Sequence, residues 1–128
     1  VPLILSGPRI ASGSSDALVY LLDIFPTVCD LIGAPVPPAL DGRSLMPVIA
    51  GKSPGVRDTL FLAYRDVQRA VRDERWKLIV YPQIQRMQLF DLLADPGETS
   101  DLSSDPAQRE RLSRMQELLH RWSQDSGI

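Results

Sequence analysis

The sequence predicts mixed α and β structure, in which a four-stranded antiparallel sheet is packed by a long C-terminal helix. Four short strand-like segments follow one another between residues 59 and 92, and short polar connections of this kind require antiparallel neighbours. From Leu112 to Trp122, apolar residues recur every three or four positions, which is the spacing of one helical face. Before residue 52 the sequence changes character: proline and glycine bound two short helical segments there. A separate unit is therefore expected before residue 52.

The first predicted element is a strand at residues 1–5, which read Val-Pro-Leu-Ile-Leu. An uninterrupted apolar run of this length fits a strand covered on both faces, as in a parallel sheet. The sequence opens without the basic leader of a signal peptide. These residues therefore predict a chain that begins inside a buried strand of a larger protein.

Two short helices are expected next. Asp23 is placed to cap the first helix, and Gly33 lies where that helix would end. Ser44 and Gly51 mark the start and the end of the second helix in the same way. In both helices a proline lies three residues after the cap, where its missing N–H costs no helical hydrogen bond. A linker rich in Pro, Gly and Ser follows at residues 52–56.

The predicted strands are residues 59–64, 67–72, 76–81 and 87–92. Residues 73–75 form a tight polar connection typical of a hairpin, and residues 95–97 read Asp-Pro-Gly, which is typical of a turn. Asp105, followed by proline, is expected to cap the last helix, with Gln108 as its capping-box partner. The apolar stripe of that helix consists of Leu112, Met115, Leu119 and Trp122. Burial of this stripe against the sheet is the predicted core of the second unit.

The composition excludes several classes of protein. The 128 residues carry 14 basic and 16 acidic side chains, and a net charge of −2 gives no field that would attract a nucleic acid. With 44% hydrophobic and 23% charged residues, the chain is not disordered as a whole. No apolar run approaches the ~18 residues that a membrane span needs. A single cysteine excludes an internal disulfide and a cysteine-cluster metal site.

Three residues are candidates for catalytic chemistry, and each fits a structural role better. Ser6 stands beside Arg9 at the end of the first strand, but no base is close in sequence. Cys29 lies mid-helix among apolar neighbours and is expected in a core. His120 lies on the polar face of the last helix and is expected to be solvated. The sequence therefore assigns no catalytic residue.

An acidic run and a basic cluster are the remaining candidates. The acidic run is Asp91, Asp95, Glu98 and Asp101. Its spacing differs from that of a calcium loop, and turn and cap chemistry explains it without a metal. The basic cluster is Arg65, Arg69, Arg72, Arg75 and Lys77. Arg65, Arg69 and Arg72 are candidates for the rim of an anionic substrate site, because a guanidinium matches sulfate or carboxylate oxygens. The favoured alternative is a charge-protected edge strand with ion pairs to Asp66, Asp73 and Glu74.

Taken in order, the segments resemble the C-terminal part of the sulfatases, in the alkaline-phosphatase superfamily. The most informative stretches are Leu-Asp-Ile-Phe-Pro-Thr at 22–27, Asp-Gly-Arg-Ser-Leu at 41–45, Arg-Trp-Lys-Leu-Ile at 75–79 and Leu-Phe-Asp-Leu at 89–92. The resemblance covers about residues 1–102. It implies that residues 1–52 are the tail of an alkaline-phosphatase-like α/β catalytic domain. It also implies that residues 57–126 are the C-terminal subdomain, a four-stranded antiparallel sheet packed by a long helix.

The resemblance implies an activity for a longer parent protein, which would hydrolyse sulfate esters. Members of the family use a formylglycine nucleophile, a divalent cation that is usually calcium, and His and Lys around the sulfate. None of these motifs is present here: the sequence has no Asn for the cation, and residues 6–9 are one residue too short for the formylglycine motif. The 128-residue chain alone is therefore expected to be inactive and to hold no cofactor.

The expected partners follow from the same resemblance. They are a missing N-terminal catalytic domain and a sulfate-ester substrate, and the isolated chain is expected to self-associate through residues 1–50. Family members are periplasmic, secreted or lysosomal, and this sequence does not choose among those compartments. Two alternatives stay open. One is a free-standing binding or assembly module with the subdomain fold, and the other is a part of a phosphodiester or phosphonate hydrolase.

Overall fold

The computed structural model describes residues 3–126, apart from the side chain of Ser126. The chain divides into two compact units, Val1–Asp58 and Thr59–Ile128. The first unit holds a 3-10 turn at Leu21–Asp23 followed directly by helix α1 (Ile24–Ile32), and a short helix α2 (Met46–Ile49).

The two predicted helix ends are confirmed. Gly33 and Gly51 have φ angles of 72° and 66°, the left-handed conformation in which glycine carries no side-chain penalty. Asp23 lies at the predicted N-cap of α1, but its side chain does not cap the helix. A 3-10 turn at Leu21–Asp23 leads into α1, and the Asp23 carboxylate accepts from the N–H of Tyr20 instead. Ser44 acts near its predicted place, since its hydroxyl accepts from the N–H of Met46 at 3.3 Å.

The predicted strand at the start of the chain is not found. Residues 3–5 form no strand, and the side chain of Ile4 is 88% exposed; Val1 and Pro2 lie outside the described residues. Within residues 3–126, every strand belongs to the second unit. An apolar run becomes a strand only where a neighbour can take its backbone hydrogen bonds, and residues 3–5 have no such neighbour in the described chain.

The second unit is a four-stranded antiparallel sheet with its strands in sequence order. The strands are β1 (Leu60–Tyr64), β2 (Gln68–Arg72), β3 (Trp76–Tyr81) and β4 (Arg86–Asp91). Each bound lies within one residue of its prediction. Residues 73–75 connect β2 to β3 as predicted, with the N–H of Asp73 donating to the carbonyl of Trp76 at 3.0 Å.

Helix α3 (Arg109–Ser126) covers one face of the sheet, as predicted. The register places Val71 opposite Leu78 and Leu78 opposite Leu89, so that these three fully buried side chains form one row. Met115 and Leu119 of α3 pack on that row. At the edge of the core, the rings of Phe61 and Trp122 stack in parallel with centroids 5.2 Å apart. We call the surface of the sheet that carries this core the helix face.

The start of α3 follows the predicted cap. A 3-10 turn at Pro106–Gln108 precedes the helix, and the Asp105 carboxylate accepts from the N–H of Ala107 at 2.9 Å. The N–H of Asp105, which the predicted capping box would have used, donates to the carbonyl of Leu102 instead. None of the helices in residues 3–126 combines the length and the apolar character needed to cross a bilayer.

Gly42 is expected to tolerate no side chain. A Cβ at this position would lie 2.8 Å from the carbonyl carbon of Leu22, a contact that only a backbone shift can relieve. We expect Gly42→Ala to destabilise the first unit by about 1–3 kcal/mol, the usual cost of overpacking. Thermal unfolding followed through the amide NMR signals of residues 18–50 measures this. Gly13→Ala is the matched control, because a Cβ there meets no atom within 4 Å. Equal melting temperatures for the two variants would contradict the expectation.

Candidate functional site

A buried carboxylate is the electrostatic centre of the first unit. The side chain of Asp23 is fully buried and forms an ion pair with Arg57, whose Nη2 donates to Oδ1 at 2.6 Å. The backbone N–H groups of Tyr20 and Arg43 donate to the same carboxylate at 2.7 and 2.8 Å. Four donors from three segments therefore converge on one side chain.

Thr27 continues this centre into the next turn of α1. Its hydroxyl donates to the carbonyl of Asp23 at 2.6 Å and accepts from the N–H of Leu45 at 2.9 Å. Arg57 also lies over the ring of Tyr20, with its guanidinium carbon 4.6 Å from the ring centroid. The donors of the chain itself thus saturate the carboxylate. The arrangement holds three segments together and leaves the carboxylate no oxygen lone pair directed at a substrate.

The pKa of Asp23 lies below its ordinary value. Burial alone would raise it, but hydrogen bonds from Arg57, Arg43 and Tyr20, together with the charge of Arg57, outweigh that effect. Because these bonds form only in the folded chain, the ionised carboxylate stabilises the first unit.

The stability of the first unit is expected to fall in acid. The unfolded-state pKa of an aspartate is about 3.9, and the folded-state pKa of Asp23 lies below it. The ionised carboxylate therefore contributes its full stabilisation of the first unit above about pH 4. It is lost as the pH falls through the folded-state pKa. Amide NMR signals of residues 18–32, followed from pH 6 to pH 2, measure the loss. In the double variant Asp23→Leu/Arg57→Leu, which leaves no buried charge unpaired, the acid-dependent part should disappear, and an unchanged pH profile in that variant would refute this assignment.

The three rim candidates lie in and beside strand β2, on both faces of the sheet. Arg65 lies in the β1–β2 turn with a φ of 49°, and its guanidinium carbon is 5.6 Å from the centroid of the Tyr64 ring. Arg69 donates to the carbonyl of Arg65, so these two residues are neighbours. The alternation of β2 puts Arg69 on the helix face with Val71, and it puts Arg72 on the opposite face.

The predicted ion-pair partners of the basic cluster are wrong. Arg75 pairs with Asp91 at 2.6 Å and Lys77 pairs with Glu98 at 2.7 Å. Both partners come from beyond the hairpin. The predicted partner Asp73 instead caps the β2–β3 turn, accepting from the N–H groups of Arg75 and Trp76 at 2.9 and 2.6 Å. Asp66 accepts from the side-chain amide of Gln83 at 2.9 Å.

Turn chemistry explains Asp95, as predicted, whereas Asp91 and Glu98 form ion pairs that were not predicted. Hydrogen bonds from Arg75 hold the pKa of Asp91 below its ordinary range. The carboxylate of Asp95 accepts from the N–H groups of Ser100 and Thr99, each at 2.8 Å, and this lowers its pKa. Asp101 accepts from the N–H of Leu89 at 3.1 Å, which ties the loop to β4. Among residues 3–126 no three His, Cys, Asp or Glu side chains are grouped to hold a metal ion.

The three nucleophile and base candidates belong to three different segments of the chain. Ser6 is exposed just before a turn that the N–H of Ile10 closes on the carbonyl of Gly7 at 3.1 Å. Cys29 is buried in α1, as predicted. His120 is exposed on α3, as predicted, with its Nε2 3.0 Å from Nε2 of Gln124. The structure therefore pairs none of these three side chains with another as nucleophile and base.

An open groove runs over the sheet surface opposite the helix face, which we call the groove face. Its volume is about 440 Å³. Across strands β1, β2 and β3, the register aligns Leu60, Arg72 and Lys77 in one row and Leu62, Ala70 and Ile79 in the next. Tyr64 and Gln68 form a third row. Sequence reasoning missed this arrangement and the Asp23–Arg57 pair. The signal that could have revealed this arrangement is strand alternation, which puts the side chains of residues 72 and 77 on the same face of the sheet. We call the row that holds these two side chains the cationic row.

Comparison with known proteins places this fold in a family. A family model described as "N-sulphoglucosamine sulphohydrolase, C-terminal" matches residues 1–125. Choline-sulfatase of Rhizobium meliloti is 38% identical over 112 residues, which are 83% of this chain and 22% of that protein. A solved 2-O GAG sulfatase superposes with a TM-score of 0.80 at 30% identity, over 95% of this chain and 29% of that one.

A related chemistry is found on the same fold. The phosphonate monoester hydrolase of Silicibacter pomeroyi superposes with a TM-score of 0.65 at 26% identity, over 80% of this chain and 24% of that one. The four-stranded sheet with its long helix is therefore the C-terminal architecture of sulfatases in the alkaline-phosphatase-like superfamily. Among them, this chain belongs to the family of the N-sulphoglucosamine sulphohydrolase C-terminal model. It spans about a quarter of the length of the relatives that it matches.

Proposed function

We propose that the chain is the C-terminal part of a longer sulfatase that hydrolyses sulfate esters. The observation that carries the proposal is the family match over residues 1–125, combined with coverage of only 22% of choline-sulfatase. In this proposal, residues 1–52 complete the catalytic α/β domain and residues 57–126 are the C-terminal subdomain. The longer protein supplies the formylglycine nucleophile and the divalent cation that stabilise the sulfuryl group in transfer.

The substrate class in this proposal is a sulfate ester carried on a sugar. A match to a 2-O GAG sulfatase at a TM-score of 0.80 supports it. The contribution of this chain is binding and positioning. Binding without contacts made in the transition state does not accelerate the reaction, so the 128-residue chain alone is inactive. Losing even one stabilising donor costs ~10²–10³ in rate, and here the nucleophile and the cation site are both absent from the described residues.

An aryl-sulfate assay with calcium tests the proposal. We expect turnover by the longer protein and none by the purified 128-residue chain. Turnover by the short chain that survives repurification and is lost in Ser6→Ala or Cys29→Ala would overturn it. A longer protein that binds calcium but does not hydrolyse any sulfate ester would overturn it as well.

The second candidate is hydrolysis of a phosphonate or phosphodiester. The match to a phosphonate monoester hydrolase favours it, because the same subdomain serves that chemistry. The ratio of kcat/KM for an aryl sulfate and for a phenyl phosphonate, measured on the longer protein, decides between the two. A ratio above one supports the sulfatase, and a ratio below one supports the alternative.

We also propose that Arg65, Arg69 and Arg72 line the rim of the anionic substrate site. Arg65 and Arg69 would act from the β1–β2 turn, and Arg72 would act from the groove face. In the longer protein, Arg→Gln at each position should raise KM and leave kcat unchanged, since the rim binds ground state and transition state equally. A loss in kcat alone would contradict a rim position.

The proposed partner of the first unit is the catalytic α/β portion, and the isolated chain would self-associate in its place. Leu21, Phe25, Val28 and Ile32 follow the helical spacing and are all exposed, Leu21 and Ile32 by more than 70%. Exposed apolar patches of this kind promote association. Sedimentation velocity should show dimers or larger species that Phe25→Glu disperses. A monomer at high concentration would refute self-association.

A further inference from the structure

The groove face carries two cations directly opposite each other. Arg72 of β2 and Lys77 of β3 are cross-strand partners, and their side chains emerge on the same face. Like charges in this position destabilise a sheet. A chain that keeps such a pair at a groove violates a local rule of stability, and violations of this kind concentrate at functional sites.

The carboxylate of Glu98 pairs with one of these two cations, Lys77. Both oxygens of Glu98 accept from Lys77 Nζ, at 2.9 and 2.7 Å. Glu98 has a φ of 54°, a conformation that costs a non-glycine residue energy, so the surrounding loop holds it there. Arg72 donates through Nε to the carbonyl of Asp73 at 3.3 Å, a neutral acceptor. Glu98 thus offsets the charge of Lys77, and Arg72, which bonds a neutral acceptor, leaves positive charge at this end of the groove.

Apart from Gln68, the rest of the groove is apolar and aromatic. Ala70 is small and lies between Leu62 and Ile79, so the middle row is a trough. Leu62 and Tyr64 are exposed beside it, Tyr64 by 60%. Leu60 and Tyr64 are four residues apart on β1, so the groove extends about 13 Å from the cationic row. Its volume of about 440 Å³ is in the range of small-ligand sites.

We propose that the groove face binds an anionic saccharide, with a sulfate or carboxylate at Arg72 and Lys77 and the sugar rings over Leu62 and Tyr64. The guanidinium of Arg72 can hold two oxygens of such an anion with parallel hydrogen bonds. The apolar C–H face of a sugar ring packs on the side chains of the trough. This inference rests on the proposed function and names the surface of the 128-residue chain that recognises the substrate class.

A binding titration on the 128-residue chain tests the inference. The probe is a heparin-derived sulfated disaccharide, followed by calorimetry and by the amide NMR signals of β1, β2 and β3. Arg72→Gln removes the guanidinium with its paired N–H donors, and Arg72→Lys keeps the positive charge without those paired donors. Arg114→Gln is the matched control, because Arg114 is exposed on α3 on the other side of the sheet. Circular dichroism confirms that each variant is folded.

We expect the disaccharide to shift signals of the groove face, and its affinity to fall as the salt concentration rises. Arg72→Gln should weaken binding at least about tenfold, Arg72→Lys less, and Arg114→Gln less than twofold. Equal affinity for the desulfated disaccharide, equal affinity for inorganic sulfate alone, or unchanged binding by Arg72→Gln would each overturn the inference. Aryl-sulfate turnover by the longer protein is measured separately, so a failure of the groove is distinguishable from a failure of the proposed function.

Discussion

Replacing Arg57 with leucine is expected to unfold the first unit at neutral pH. The Asp23 carboxylate would keep its buried position and lose its ion pair with Arg57. Breaking a buried pair in this way costs about 3–5 kcal/mol, because one charge is left without compensation. Loss of the dispersed amide NMR signals of residues 18–50 measures the effect.

Two further variants make this result specific. Arg9→Leu removes an exposed guanidinium from the same unit and should leave the signals unchanged. The double variant Asp23→Leu/Arg57→Leu removes both charges and should regain much of the lost stability, since apolar replacements of buried pairs are often neutral. If Arg57→Leu behaves like Arg9→Leu, the ion pair does not hold the unit together.

Leu78→Ala is expected to cost the second unit about 2–5 kcal/mol. Leu78 is fully buried in the centre of the helix face, between Val71 and Leu89, and truncation leaves a cavity that the sheet cannot close. Both tryptophans, Trp76 and Trp122, lie in this unit, so their fluorescence in a urea titration reports its unfolding directly.

The control for the core variant is Leu93→Ala. Leu93 is 75% exposed in the loop after β4, and its truncation should change the free energy of unfolding by less than about 0.5 kcal/mol. The same midpoint for Leu78→Ala and Leu93→Ala would show that the row of Val71, Leu78 and Leu89 is not the core.

The second unit could be predicted from the sequence because its signals are local. Trp76, Leu78 and Val80 alternate with residues that are polar or point away from the core. This alternation predicts both where β3 lies in the chain and how it aligns with its neighbouring strand. The stripe from Leu112 to Trp122 predicts which face of α3 is buried. Short polar turns then leave the antiparallel order as the only simple arrangement.

The features that escaped prediction depend on partners distant in sequence. Asp23 and Arg57 are 34 residues apart, and Arg57 directly follows a segment that reads as a linker. Arg75 and Lys77 have acidic neighbours close in the chain, yet they pair with Asp91 and Glu98. Trp76 lies opposite Asp91, so the register brings that carboxylate to Arg75.

The candidate site was predictable mainly by what the sequence lacks. Without Asn, with one His and one Cys, the composition already argues against a complete hydrolytic centre. The basic cluster was recognised as a group of residue types, but its division between two faces was not. Arg69 and Arg72 are three positions apart in a strand, so they point to opposite sides of the sheet.

The order of the strands in the second unit has a consequence for how it folds. Each strand pairs with the next one along the chain, so the sheet forms through a succession of hairpins with small loop-closure entropy. We therefore expect the sheet to assemble faster than sandwiches of similar size, whose strands pair over long sequence separations. Helix α3 follows the sheet in the chain, so a nascent polypeptide exposes the row of Val71, Leu78 and Leu89 until α3 has been synthesised. The docking of α3 on the sheet therefore ends the period in which this unit is prone to aggregate.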